Sequence, residues 1–289
     1  MGAGFGKPAP RSMHPTIVES HRSRRYPVLV ACCTFALVVA GALVTSNDAA
    51  GSIPDWPLNW GRIIPPLEAN IRYEFAHRAL AAVVLLLVAG LAWRERTKLA
   101  WAALGTVIAQ AAVGGLLVKW IDPASLAVLH ASLAILCFGL VVGQVADLPR
   151  DWAGREPAPL AAAIALFAQT ILGAMVRHNL AGPIPHIIGA VIATALVMWA
   201  GLGTLMSHMD QPKLRRPAMA LLSLTFSQVF LGIAAFAIRA AAVSDVQPMP
   251  ATIWITVAHV AVGTLAFGSA VVLAMACQVR RPALECAIT

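Results

Sequence analysis

The chain has 289 residues, of which 59% are hydrophobic and only 12% charged, with a mean hydropathy of +0.77. A soluble domain of this size carries roughly a quarter charged residues, so a water-soluble globular protein is excluded. The net charge of +8 does not indicate nucleic acid, because it follows the threading of the chain through a membrane.

The first 25 residues are polar and basic, and the apolar run after them is long enough to span, so no cleavable signal peptide is expected. Eight runs of the length a bilayer requires follow, at 27–46, 73–93, 99–118, 124–145, 159–177, 184–206, 217–238 and 252–278. Pro123, Pro159, Pro217 and Pro250 stand at or just before span starts, where a missing N–H costs least. Trp93, Trp120 and Trp152 lie near interfaces, as aromatic belts do. The one long outer loop, 47–72, is rich in Pro, Asp and Trp, and a loop of that length on a compact bundle is often functional.

The Lys and Arg residues within 7–25, 94–98, 150–155, 213–216 and 280–281 all fall on one side of this threading. Only Arg62, Arg72, Arg78, Lys119, Arg177 and Arg239 fall on the other side or at its rim. This positive-inside bias places both termini in the cytoplasm. Of the five cysteines, Cys32, Cys33, Cys137 and Cys277 lie in spans or at their ends and Cys286 in the tail, so no outer-loop disulfide is expected. There is no CxxCH for covalent haem attachment. Adjacent Cys32 and Cys33 read as small buried apolar side chains rather than a redox pair.

An internal repeat is legible. FALVVAGALVTS (35–46) resembles FAQTILGAMVRH (167–178), and QAAVGGLLVKW (110–120) parallels QVFLGIAAFAIR (228–239). HRALAAVVLLLVAGLAW (77–93) parallels HIIGAVIATALVMWAGL (186–202), and the surroundings of His130 parallel those of His259. Each repeat holds four spans, so the halves share one orientation. The expected fold is an all-α polytopic membrane protein of eight transmembrane helices, arranged as two pseudo-symmetric four-helix bundles. Its parts are a cytoplasmic N-terminal segment (1–26), an N-terminal half (27–150), a C-terminal half (151–281) and a cytoplasmic tail (282–289).

His77, His130, His186 and His259 fall on the second, fourth, sixth and eighth spans, all toward the same side. A histidine inside a bilayer is a functional suspect, and neutral imidazole is a strong iron ligand. His77 and His186 lie one or two turns below the outer surface and His130 and His259 roughly 10 to 13 Å deep. Each half can thus bring one pair to facing positions, closing both axial sites of a haem iron within a bundle core. A lone intramembrane histidine is more often a helix-to-helix hydrogen bonder; four in register through a repeat favour ligation. His14, His21 and His208 read as solvated, and His178 beside Arg177 as a surface residue that could meet a propionate.

Glu74 breaks the symmetry. It stands three residues before His77, on the same helix face, whereas Pro183 occupies the corresponding place before His186. It is either an interfacial carboxylate paired with Arg72 or Arg78, or a carboxylate beside one haem only, which would make the N-terminal half the reactive one. Glu-x-x-His also occurs in di-iron bundles, but those need further inward carboxylates that this chain lacks.

At these residues the chain resembles the haem A synthase family of bacterial and mitochondrial membranes. The matching pieces are GALVTSNDAAGSIPDWPLNWG (41–61), EFAHR (74–78), QAAVGGLLV (110–118), LHASLA (129–134), PHIIGA (185–190), QVFLG (228–232) and AHVAVGTL (258–265). The resemblance implies oxidation of the C8 methyl group of haem O to a formyl group, through hydroxylated intermediates, to make haem A for terminal oxidases. It implies substrate-haem ligation by His77 and His130, haem b ligation by His186 and His259, and a catalytic Glu74. Arg78, Arg177 and Trp56 are candidate propionate or loop contacts. Many bacterial members carry cysteines flanking PDWPL, where this chain has Ile53 and Asn59, so the loop must act through Trp56, Trp60 and its prolines.

The implied partners are haem O, membrane lipid, haem O synthase, terminal oxidase assembly factors and, for a homo-oligomer, a second copy; nucleic acid is not among them. The implied place is the bacterial inner membrane, with the haem sites toward its outer side. Two other classes explain parts of the pattern. A di-haem b electron-transfer cytochrome would use the same histidines but gives no reason for one carboxylate. A transporter built from a parallel repeat would favour broken helices and a polar midplane, whereas the polar residues here gather near the outer face.

Overall fold

The computed structural model describes residues 24–59, 61–120, 123–146, 152–241 and 249–280. Eight α-helices account for most of them: α1 (Arg25–Ser46), α2 (Ile71–Glu95), α3 (Lys98–Lys119), α4 (Ala124–Gly143), α5 (Pro157–Arg177), α6 (Pro183–His208), α7 (Pro212–Ala241) and α8 (Pro250–Ala276). All eight are long and apolar enough to cross a membrane. Prolines begin α5, α6, α7 and α8, where fixed φ helps and no intrahelical N–H is lost. Thr97 caps α3, its hydroxyl accepting from the Ala100 N–H at 3.0 Å.

Two boundaries differ from the sequence expectation. Pro217 does not start a span: α7 begins at Pro212 and carries Pro217 inside it. Hydropathy locates the apolar slab, whereas the helix continues past it through Lys213–Arg216. At the other end, α8 stops at Ala276, and Gln278–Arg280 (β2) pairs antiparallel with Trp152–Arg155 (β1). This pair marks the terminal end of the bundle; the 47–70 segment marks the opposite, loop end.

Within α1–α4 each helix packs along its sequence neighbours and α1 closes onto α4; α5–α8 pack in the same pattern, with α5 closing onto α8. The two sets meet through α1 with α8, α4 with α5, and α4 with α8. The last contact is reciprocal. Phe138 of α4 lies against Gly268 of α8, and Phe267 of α8 lies against Gly139 of α4. Phe35 packs on Phe138 at 6.2 Å between ring centres, and Phe167 on Phe267 at 5.9 Å. The bare glycines let the α4 and α8 backbones approach, as small residues do between membrane helices. Large side chains such as Leu86, Ile184, Met206 and Phe226 face outward, which a lipid surround accepts without cost.

The cysteine reading needs one correction. Cys137 is buried, but Cys32 is exposed and Cys33 only half-buried. Adjacent helical positions point in different directions, so both could not face the core.

Candidate functional site

The structure brings the four histidines together as two pairs. His77 of α2 faces His130 of α4 with ring centres 6.4 Å apart and planes 67° apart. His186 of α6 faces His259 of α8 at 6.3 Å and 74°.

Each ring rests on a glycine of the preceding helix. A Cβ built on Gly41, Gly114, Gly173 or Gly232 would stand 3.1 Å from Cε1 of His77, His130, His186 or His259 respectively. Ordinary contact begins near 3.4 Å, so any side chain at these four places would displace the imidazole. One turn earlier on each of these helices, Leu37, Gln110, Gln169 and Gln228 present main-chain carbonyls to the same rings. At His77, His130 and His259 the enclosed Nδ1 makes no hydrogen bond of good geometry.

The side chains one turn below the glycines divide the two sites. Gln169 Nε2 stands 3.0 Å from His186 Nδ1 and donates to the His186 carbonyl at 2.8 Å. Gln228 Nε2 stands 3.1 Å from His259 Nε2. These amides occupy the space over Gly189 and Gly263 that a side chain there would need. The first site has Leu37 in one of these places and Gln110 in the other, whose buried Oε1 has no partner among the described residues.

Both pairs fit a haem iron. Two metal–nitrogen bonds of about 2 Å, with about 1 Å more from each nitrogen to its ring centre, place the two ring centres about 6 Å apart. The observed separations match this, and the carbonyls behind the rings are the supports that orient a ligating imidazole.

Glu74 is buried at the start of α2, with 5% of its surface exposed. Its carboxylate pairs with the Arg78 guanidinium and accepts the Ile53 N–H at 3.0 Å. Of the two partners that α2 offered, Arg72 instead donates to the Tyr73 hydroxyl. Arg78 also donates to the carbonyls of Ile53 (2.9 Å), Asp55 (2.7 Å) and Leu58 (3.4 Å). One arginine therefore gathers Glu74 and the PDWPL segment around the turn that carries His77.

Loop residues complete the anchor. Ile53 is fully buried, and the Asn59 amide donates to the Ile63 carbonyl at 2.9 Å. The Trp56 ring lies against Gly115 of α3, next to the glycine that seats His130. Arg177, at the end of α5, donates to the Ser46 hydroxyl at 3.3 Å. His178 is half-buried rather than on the surface, and His208 closes α6 with its Nδ1 enclosed. His14, His21, Trp60 and Cys286 lie outside the described residues.

Sequence reasoning missed the glycine seats and the glutamine amides. The signal was present as Gln-x-x-x-Gly at 110–114, 169–173 and 228–232, one copy on the helix before each of the last three histidines.

The fold and these pairs define a class: a multi-pass helical membrane protein with two facing-histidine sites in its interior. No family model matches the chain. Curated relatives do. A protein named Heme A synthase from Symbiobacterium thermophilum is 30% identical over 245 residues, covering 68% of this chain and 79% of its own length. One of the same name from Parvibaculum lavamentivorans is 30% identical over 133 residues, 40% of this chain and 38% of its own. Another from Staphylococcus aureus is 29% identical over 164 residues, 48% and 54% of the two. The chain belongs to the haem A synthase family.

Proposed function

We propose that this protein converts haem O to haem A by oxidising the C8 methyl group to a formyl group, with His77 and His130 holding the substrate and His186 and His259 a resident haem b. The reading makes residues 27–150 the reactive half and 151–281 the supporting one. The observation that carries it is an inequality between two otherwise matched histidine pairs. Both have the spacing of axial ligands, yet only His77 has a buried carboxylate one turn away.

The resident haem supplies redox capacity, while the chain supplies position and electrostatics. Glu74 stabilises positive charge developing at the methyl carbon or accepts a proton from attacking water. Arg78 fixes that carboxylate by a direct ion pair and holds the Ile53–Leu58 segment beside it, which limits the entry of bulk water. Covering the site in this way keeps the electrostatic interactions within it strong. The terminal end, with its Lys and Arg clusters, lies in the cytoplasm of a bacterial inner membrane, and the histidine pairs lie toward the outer side.

The test is haem extraction from protein expressed alongside a haem O source. Formyl-bearing haem A is the expected product. Recovery of haem O and haem b alone, with normal histidine-ligated spectra, would favour the electron-transfer cytochrome instead.

A further inference from the structure

The packing of α5–α8 determines how a haem between His186 and His259 can be turned, an argument that rests on the haem b reading of that pair. These helices pack in sequence order and close α5 onto α8, so α6 faces α8 across one diagonal and α5 faces α7 across the other. Ligands from α6 and α8 align the axial direction with the first diagonal. The porphyrin plane then extends toward α5, toward α7 and toward the two ends of the bundle.

At the loop end the α5–α7 diagonal is bridged by cations. Arg239 of α7 donates to Asn179 Oδ1, just past α5, at 3.0 Å. Arg177 lies close enough to Arg239 and Asp48 to feel both charges, and its one hydrogen bond is to Ser46. A guanidinium has five N–H donors, so two neighbouring cations hold most of theirs unused at the mouth of an apolar bundle. Four residues separate Gly173 from Arg177 and seven separate Gly232 from Arg239. At the helical rise these are about 6 and 10 Å along the axis above the ligand level, the reach of a haem's propionate arms from its iron. Toward the terminal end, α5–α8 carry no Lys or Arg between the ligand level and Arg216. A carboxylate turned that way would lie among apolar side chains, at high cost.

We infer that Arg177 and Arg239 receive the two propionate carboxylates of the haem held by His186 and His259, so that its propionate edge faces the loop end. Asn179 positions Arg239 across the bundle mouth, and Ser46 and Asp48 of the other half position Arg177. The opposite edge, with its apolar substituents, points into the charge-free interior.

The test compares protohaem with protohaem dimethyl ester, titrated into full-length protein purified without haem and carrying His130→Ala. A six-coordinate low-spin spectrum then reports the His186/His259 pair alone. The inference predicts at least tenfold tighter binding of the free acid. It further predicts that R177Q/R239Q lowers this preference to within twofold while the low-spin spectrum persists, and that R177K/R239K retains most of it. Equal binding of acid and ester by the starting protein would overturn the inference, as would an undiminished preference in the glutamine variant. Uptake of neither with a low-spin spectrum would instead overturn the haem reading of the pair, and this inference with it.

Discussion

Replacing Gly232 with alanine tests the construction of the second histidine pair without touching a ligand. The new methyl group would stand 3.1 Å from His259 Cε1, where ordinary contact begins at 3.4 Å. The ring or the helix must therefore give by about 0.3 Å, beyond the roughly 0.2 Å within which metal–ligand distances are held. Disturbed ligand support typically costs about 10- to 100-fold in metal affinity, equivalent to about 1.4 to 2.8 kcal/mol. Haem b per protein, measured by haemochrome assay after detergent washing, should fall accordingly, with a weakened low-spin spectrum. Gly203→Ala on α6 is the control, because nothing lies within 4 Å of a Cβ there, and it should retain haem fully. If Gly232→Ala kept haem as tightly as Gly203→Ala, the glycine-seat reasoning would be wrong.

Two further outcomes follow from the contacts. Arg78→Gln removes the Glu74 ion pair and three carbonyl contacts; haem A formation should drop at least tenfold and the 54–62 segment should become protease-sensitive, while haem b content stays within twofold. Gln169→Leu removes the amide beside His186 and should weaken haem b retention by about tenfold and shift its midpoint potential, read by redox titration, without lowering protein abundance.

The eight spans were legible because hydropathy reports the apolar slab directly, and the histidines because so few polar residues interrupt it. The helix ends were not: α7 continues through Lys213–Arg216, where hydropathy has already fallen. The Gln-x-x-x-Gly strings were visible, but their meaning depended on a ring from another helix resting on the glycine. Glu74 could be placed one turn from His77 from spacing alone. Its engagement with Arg78 and the Ile53 N–H depends on how the 47–70 segment folds back, which no periodicity encodes. Ile53 and Asn59 illustrate the same gap. Read as the places where a thiol link is missing, they are a fully buried core residue and a hydrogen-bonding loop staple.

The account depends most on the two histidine pairs doing different work because Glu74 stands beside only one. The most direct measurement is the haem composition of Glu74→Gln purified from cells supplied with haem O. The account predicts normal haem b, bound haem O and at least a tenfold loss of haem A. Haem A at the unsubstituted level would contradict it.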